Sequence, residues 1–144
     1  MSRVFERAAR GLGLVALGLI GCSAPAPAGE PHPCTMRPTQ VDRTLCLADA
    51  LKAADVDLNQ VYRTLNDRLD TNGKRNLVAA ERAWIAFRDR ECDLRTGYDT
   101  VDLANNGTLA PYLVGDCRLG LTRARTTELR RQLTCPGGDL SCAP

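Results

Sequence analysis

Along residues 77 to 95 (LVAAERAWIAFRDRECDLR) the positions Leu77, Ala80, Trp84, Phe87, Glu91 and Leu94 recur at helical spacing, apolar throughout except at Glu91. A matching stripe runs through Val41, Leu45, Ala48, Leu51, Asp55, Leu58, Tyr62, Leu65 and Leu69. Thr39, with Asp42 three residues on, reads as a capped helix start. No Gly or Pro follows before Asn72-Gly73, so the pattern predicts one helix over residues 39–70, roughly 48 Å long at 1.5 Å per residue. The segment TNGK, residues 71 to 74, reads as a stop and restart. A second helix is expected over 74–96, ended by Gly97. Residues 98 to 115 read as irregular, with a short helical turn after Thr108. A third helix is expected over 116–133 on Leu119, Thr122, Thr126, Leu129 and Leu133, in which Gly120 costs about 1 kcal/mol relative to Ala. The fold class is all-α: a long antiparallel helical hairpin plus a third helix, stapled by disulfides.

The hairpin has a register. With the turn between residues 71 and 72, positions facing each other sum to about 143, because both helices climb at one rise per residue. Leu58 then faces Ile85, Tyr62 faces Glu81, and Asp55 faces Arg88. Asp55 is the one acid in its apolar stripe, so Asp55 and Arg88 are expected to form a structural ion pair.

The N-terminus changes the picture drawn from charge. The chain has 144 residues and a formal net charge of +2, but Arg3, Arg7 and Arg10 against Glu6 supply all of it. From residue 22 onward the charges cancel, which leaves no electrostatic footprint for nucleic acid. Residues 1 to 10 form a basic leader and residues 11 to 20 (GLGLVALGLI) an apolar run too short to span a bilayer. The run ends in Leu19-Ile20-Gly21-Cys22, which resembles the bacterial lipobox. That resemblance implies acylation of Cys22, a lipoprotein signal peptide over 1–21, and attachment to a membrane of the cell envelope. Ser23 after Cys22 is compatible with the outer membrane, facing the periplasm. Residues 22–33 are a Pro/Ala-rich tether holding His32. A helical domain over 34–135 and a C-terminal tail over 136–144 complete the organisation.

Seven cysteines in so short a chain point to an oxidising compartment. With Cys22 acylated, the remaining six allow 15 connectivities. Sequential pairing is the simplest: Cys34 with Cys46, Cys92 with Cys117, Cys135 with Cys142. The middle bridge would clamp the third helix to the hairpin. No C-x-x-C pair and no second His supports zinc, and no cofactor is expected. No nucleophile with a base, phosphate-cradling loop or metalloprotease motif is present, so the chain does not read as an enzyme. Asn106-Gly107-Thr108 matches a glycosylation sequon that has no bearing on a bacterial lipoprotein. Arg118, Arg123, Arg125, Arg130 and Arg131 read as a solvated face of the third helix.

Several blocks taken together identify a family: Cys34 and Cys46; Ala54-Asp55-x-x-Leu58-Asn59-x-x-Tyr62; Ala80-x-x-Ala83-Trp84-Ile85-x-Phe87-Arg88-Asp89-x-x-Cys92; and Cys117 with Thr122-x-x-Arg125-x-x-x-Leu129. The chain resembles the LprI-type lysozyme-inhibitor family of small bacterial envelope proteins over residues 34 to 133. It departs from that pattern at Glu81-Arg82, where many relatives carry Gln-Arg, and in the extra Cys135/Cys142 tail. The resemblance implies a helical extracytoplasmic domain and, for some members, inhibition of lysozyme. The expected partner is therefore lysozyme or a related peptidoglycan hydrolase. The expected contact is the acidic stretch holding Asp99, Asp102, Tyr112 and Asp116, with Leu109 and Leu113 as apolar neighbours. The competing reading is a structural or adaptor lipoprotein without effect on lysozyme.

Overall fold

A computed structural model describes residues 33–134. The leader, Cys22, the tether with His32, and Cys135 with Cys142 lie outside these residues. The regular structure is helical: a 3-10 turn over Pro33–Met36, α1 over Gln40–Arg68, α2 over Thr71–Thr96, a second 3-10 turn over Leu103–Asn105, and α3 over Ala110–Thr134. None of the described helices is long and apolar enough to cross a membrane.

Local chemistry sets each boundary. Thr39 caps α1, its hydroxyl accepting from the Asp42 amide at 3.1 Å and donating to the Asp42 carboxylate at 2.7 Å. α2 begins at Thr71 rather than 74, because the Asp70 side chain caps it by accepting from the Gly73 amide at 2.7 Å. Asn72-Gly73 therefore lies in a first turn whose amides have no intrahelical partner, where it breaks nothing. Gly97, at φ 66°, takes the left-handed conformation that ends α2, and Tyr98 N–H closes back on the Asp93 carbonyl at 3.0 Å. α3 begins at Ala110, six residues before the expected start at 116. Pro111 stands in its first turn, where a missing N–H costs nothing. The helix passes through Gly115, and a Cβ there would lie 3.2 Å from Leu47 Cδ2, so this glycine lets α1 and α3 approach closely.

α3 runs parallel to α1, with Gly115 beside Leu47 towards one end and the Leu133 carbonyl accepting from Arg68 at the other, and α2 runs antiparallel to both, with Arg118 on Asp89 and Arg125 on Glu81. The most extensive packing is between α1 and α3. Leu58, Val61, Leu65, Leu77 and Leu129 form one core cluster, with Trp84 and Tyr62 against it. Leu47, Ala54 and Leu119 form a second, flanked by Leu51 and Tyr112. Thr122 and Thr126 are buried between the helices, and the Thr126 hydroxyl donates to the Thr122 carbonyl at 2.9 Å. Each fully buried leucine contributes about 1.5–3 kcal/mol.

This packing corrects two expected faces. Val41 and Leu45 of α1 are exposed, and the buried row is Leu47, Ala54, Leu58, Val61 and Leu65, rotated toward α3. In α2, Ala80, Phe87 and Leu94 are exposed, and the row turned inward is Leu77, Glu81, Trp84, Arg88 and Cys92. Two charged residues replace apolar ones on that row because each finds a partner there. The arrangement also moves Ile85, expected opposite Leu58, onto the exposed surface.

Candidate functional site

The stretch between α2 and α3 is short of apolar contacts and dense in side-chain-to-backbone hydrogen bonds. Asp99 Oδ1 accepts from the Val101 amide at 2.9 Å and the Asp102 amide at 2.8 Å, and Oδ2 accepts from Asn105 Nδ2 at 3.3 Å. Those donors, the Asp102 amide first, then the Val101 amide and the Asn105 side chain, hold the Asp99 carboxyl below its ordinary value of 3.8. Asn106 ties the loop from the other side. Its Oδ1 accepts from the Asp99 amide at 2.9 Å, and its Nδ2 donates to the Asp99 carbonyl at 2.9 Å and the Leu103 carbonyl at 3.3 Å. Asp102 caps the 3-10 turn by accepting from the Ala104 amide at 3.1 Å. Asn106, which stands out in the sequence only as part of an irrelevant sequon, is thus a principal tie of the loop. The general tendency of Asn to hydrogen-bond nearby backbone is the signal that marks it.

The root of the loop is covalently closed. Cys92 and Cys117 form a disulfide with Cα atoms 5.6 Å apart across 25 residues. In the loop-entropy model such a closure contributes roughly 3.5 kcal/mol. Cys34 and Cys46 form a second disulfide, also at a Cα separation of 5.6 Å. A mostly apolar cleft of about 410 Å³ lies beside the root, lined by Leu47, Leu51, Tyr98, Val114 and Arg118.

A folded loop of this kind aims its remaining side chains outward. Val101 is 94% exposed and Leu103 62% exposed, and Leu109 and Leu113 are also exposed. Asp116 is exposed on α3, whereas Tyr112 is half-buried against the Leu47 cluster. Of the acids expected to meet a partner, Asp99 and Asp102 are therefore engaged by the loop's own amides.

The charged residues elsewhere are arranged internally. Arg88 Nη1 lies 3.2 Å from Asp55 and 3.3 Å from the Thr122 hydroxyl, its Nε 3.1 Å from Asp89, and its guanidinium 5.3 Å from the Trp84 ring centroid. The side chains of Arg88 and Asp55 are 16% and 44% exposed. A more deeply buried pair joins Arg125 Nε to Glu81 at 3.0 Å, with exposures of 13% and 12%. Arg125 also approaches Trp84 at 6.0 Å. Arg118 reaches Asp89 at 3.3 Å and Asp93 at 3.9 Å, and Arg130 holds both oxygens of Asp57. The basic face read from α3 is therefore largely turned to acids of α1 and α2. Among the described residues, no group of three His, Cys, Asp or Glu is placed to hold a metal ion.

The chain is 35% identical over 126 residues to the uncharacterized protein R02472 of Rhizobium meliloti (strain 1021), covering 78% of this chain and 87% of that one. It is 30% identical over 97 residues to the uncharacterized protein YecT of Escherichia coli (strain K12), covering 59% of each. No solved structure matches. The family model described as lysozyme inhibitor LprI matches residues 33–129, from the first 3-10 turn to the buried Leu129 of α3, and the chain belongs to that family.

Proposed function

We propose that this protein inhibits lysozyme or a similar peptidoglycan hydrolase while held to a membrane of the bacterial envelope by a lipid on Cys22. The family match across nearly the whole described domain carries this reading. The protein acts by occlusion and not by chemistry, and the loop between α2 and α3 is the contact. The loop and the first turns of α3, residues 98 to 116, include Asp99, Asp102 and Asp116 and no Lys or Arg, a sign suited to a basic enzyme. Charge of this kind speeds encounter more than it tightens the complex.

A turbidity assay of lysozyme on bacterial cell walls tests the reading. The chain from residue 22, with Cys22→Ser to keep it soluble, should slow clearing at near-stoichiometric ratios. Full lysozyme activity in excess of the folded protein favours the adaptor role instead. Mass spectrometry of the native protein should find a fatty-acylated Cys22 as its first residue. An unmodified N-terminus elsewhere removes the anchor.

A further inference from the structure

We infer that Val101 and Leu103 are the residues that enter the partner's glycan cleft, and that Asp99 and Asn106 are positioning residues that hold them out. This rests on the inhibitor reading and assigns its working parts. Two exposed apolar side chains on a loop, Val101 almost bare and Leu103 about two-thirds exposed, are ordinarily destabilising or neutral, yet here a closed set of hydrogen bonds orders the backbone that carries them. Ordering a loop before binding removes entropy that would otherwise be lost in the complex. The Cys92–Cys117 disulfide extends that ordering to the loop's root.

The chemistry of the cleft selects which loop residues can enter it. A glycoside hydrolase places two carboxyl groups across the scissile bond, so an intruding acid would face like charge there. Val101 and Leu103 carry no charge, while Asp99 and Asp102 point their carboxylates back into the loop's own amides. The acids thus remain on the flank, where they steer, and the apolar residues lead. A bilayer is the less suitable occupant, because the two loop acids, Asp99 and Asp102, with Asp116 close by on α3 and no Lys or Arg over residues 98 to 116, would be repelled by anionic lipid headgroups.

The experiment compares wild type with Val101→Asp/Leu103→Asp in the soluble chain from residue 22, measuring lysozyme inhibition and the dissociation constant. The substituted positions are exposed, so the thermal midpoint and helical circular dichroism should not change. Loss of two anchors should weaken binding at least thirtyfold, about the effect of one strong interface residue. Asn106→Ala should weaken binding less, and raising its concentration should restore full inhibition, since the anchors themselves remain. If wild type inhibits and the double variant inhibits equally, the contact assignment is overturned while the inhibitor reading stands. If wild type does not bind lysozyme, both fall. Flotation with vesicles of phosphatidylethanolamine and phosphatidylglycerol supplies the remaining arm: binding that depends on Val101 and Leu103 would overturn the inference in favour of a lipid surface.

Discussion

Glu81 and Arg125 offer the sharpest test of how α2 is held. Both side chains are nearly nine-tenths buried, and their contact is 3.0 Å. Removing one partner of such a pair strands the other, at a typical cost of about 3–5 kcal/mol. Glu81→Gln should fall near the lower end, at about 3 kcal/mol, because Arg125 keeps Glu128 at 3.2 Å and the Trp84 ring at 6.0 Å. Arg125→Met should fall near the upper end, because it leaves a buried carboxylate without its guanidinium. The double variant should lose about 2–3 kcal/mol less than the sum. Asp55→Ala is the internal contrast. Asp55 is 44% exposed and Arg88 retains Asp89, Thr122 and Trp84, so the loss should be only about 1 kcal/mol. Arg88→Ala removes all of those partners at once and should cost more than Asp55→Ala. Urea unfolding with disulfides intact, followed by circular dichroism, gives each value. Single losses below about 1 kcal/mol at Glu81 and Arg125, additive within about 0.5 kcal/mol, would refute the buried-pair reasoning.

Other consequences are simpler to measure. Gly120 is exposed within α3, with open space where an alanine methyl group would stand, so Gly120→Ala should raise stability by about 0.5–1 kcal/mol in the same urea series. Leu129 is fully buried in the main cluster, and Leu129→Ala should cost about 2–5 kcal/mol, with a fall in the thermal midpoint. The lowered pKa of Asp99 means that its stabilisation of the loop is complete above the ordinary carboxylate value of 3.8 and is lost as pH falls through the lower folded value. Protection of the Val101 and Asp102 amides relative to their intrinsic exchange rates should therefore hold at pH 5 and fall only in stronger acid. Loss of protection already above pH 4, with the helices intact, counts against the carboxylate as the tie.

The helices are legible in the sequence because caps, breakers and periodicity are local. Thr39 with Asp42 and Gly97 each mark a boundary through contacts within a few residues. The inward face of α2 is not legible, because Phe87 and Leu94 look better suited to a core than Glu81 and Arg88. What decides the matter is non-local: Arg125 and Asp55 come from other helices and make burial of those charges tolerable. The same holds for α1, whose stripe could face either neighbour until α3 takes the larger share. The loop is legible as an acidic segment but not as a folded one. Its acids look like free charge, and only the geometry assigns Asp99 to backbone amides and leaves Val101 and Leu103 outside.

The bridge between Cys34 and Cys46 also decides how this domain answers a mechanical pull. Tension arriving along the chain from the residues before Pro33 reaches Cys34 and crosses a covalent bond to Cys46, beyond the first turn of α1. The Thr39 cap and the helix start at Gln40 lie in a slack segment that carries little of the load. Unravelling of α1 from its end, one hydrogen bond at a time, is bypassed, and force enters beside Leu47, where α1 is already packed on α3. In a reducing solution that bypass opens, and the same pull would peel the first turns of the helix before it tested the core.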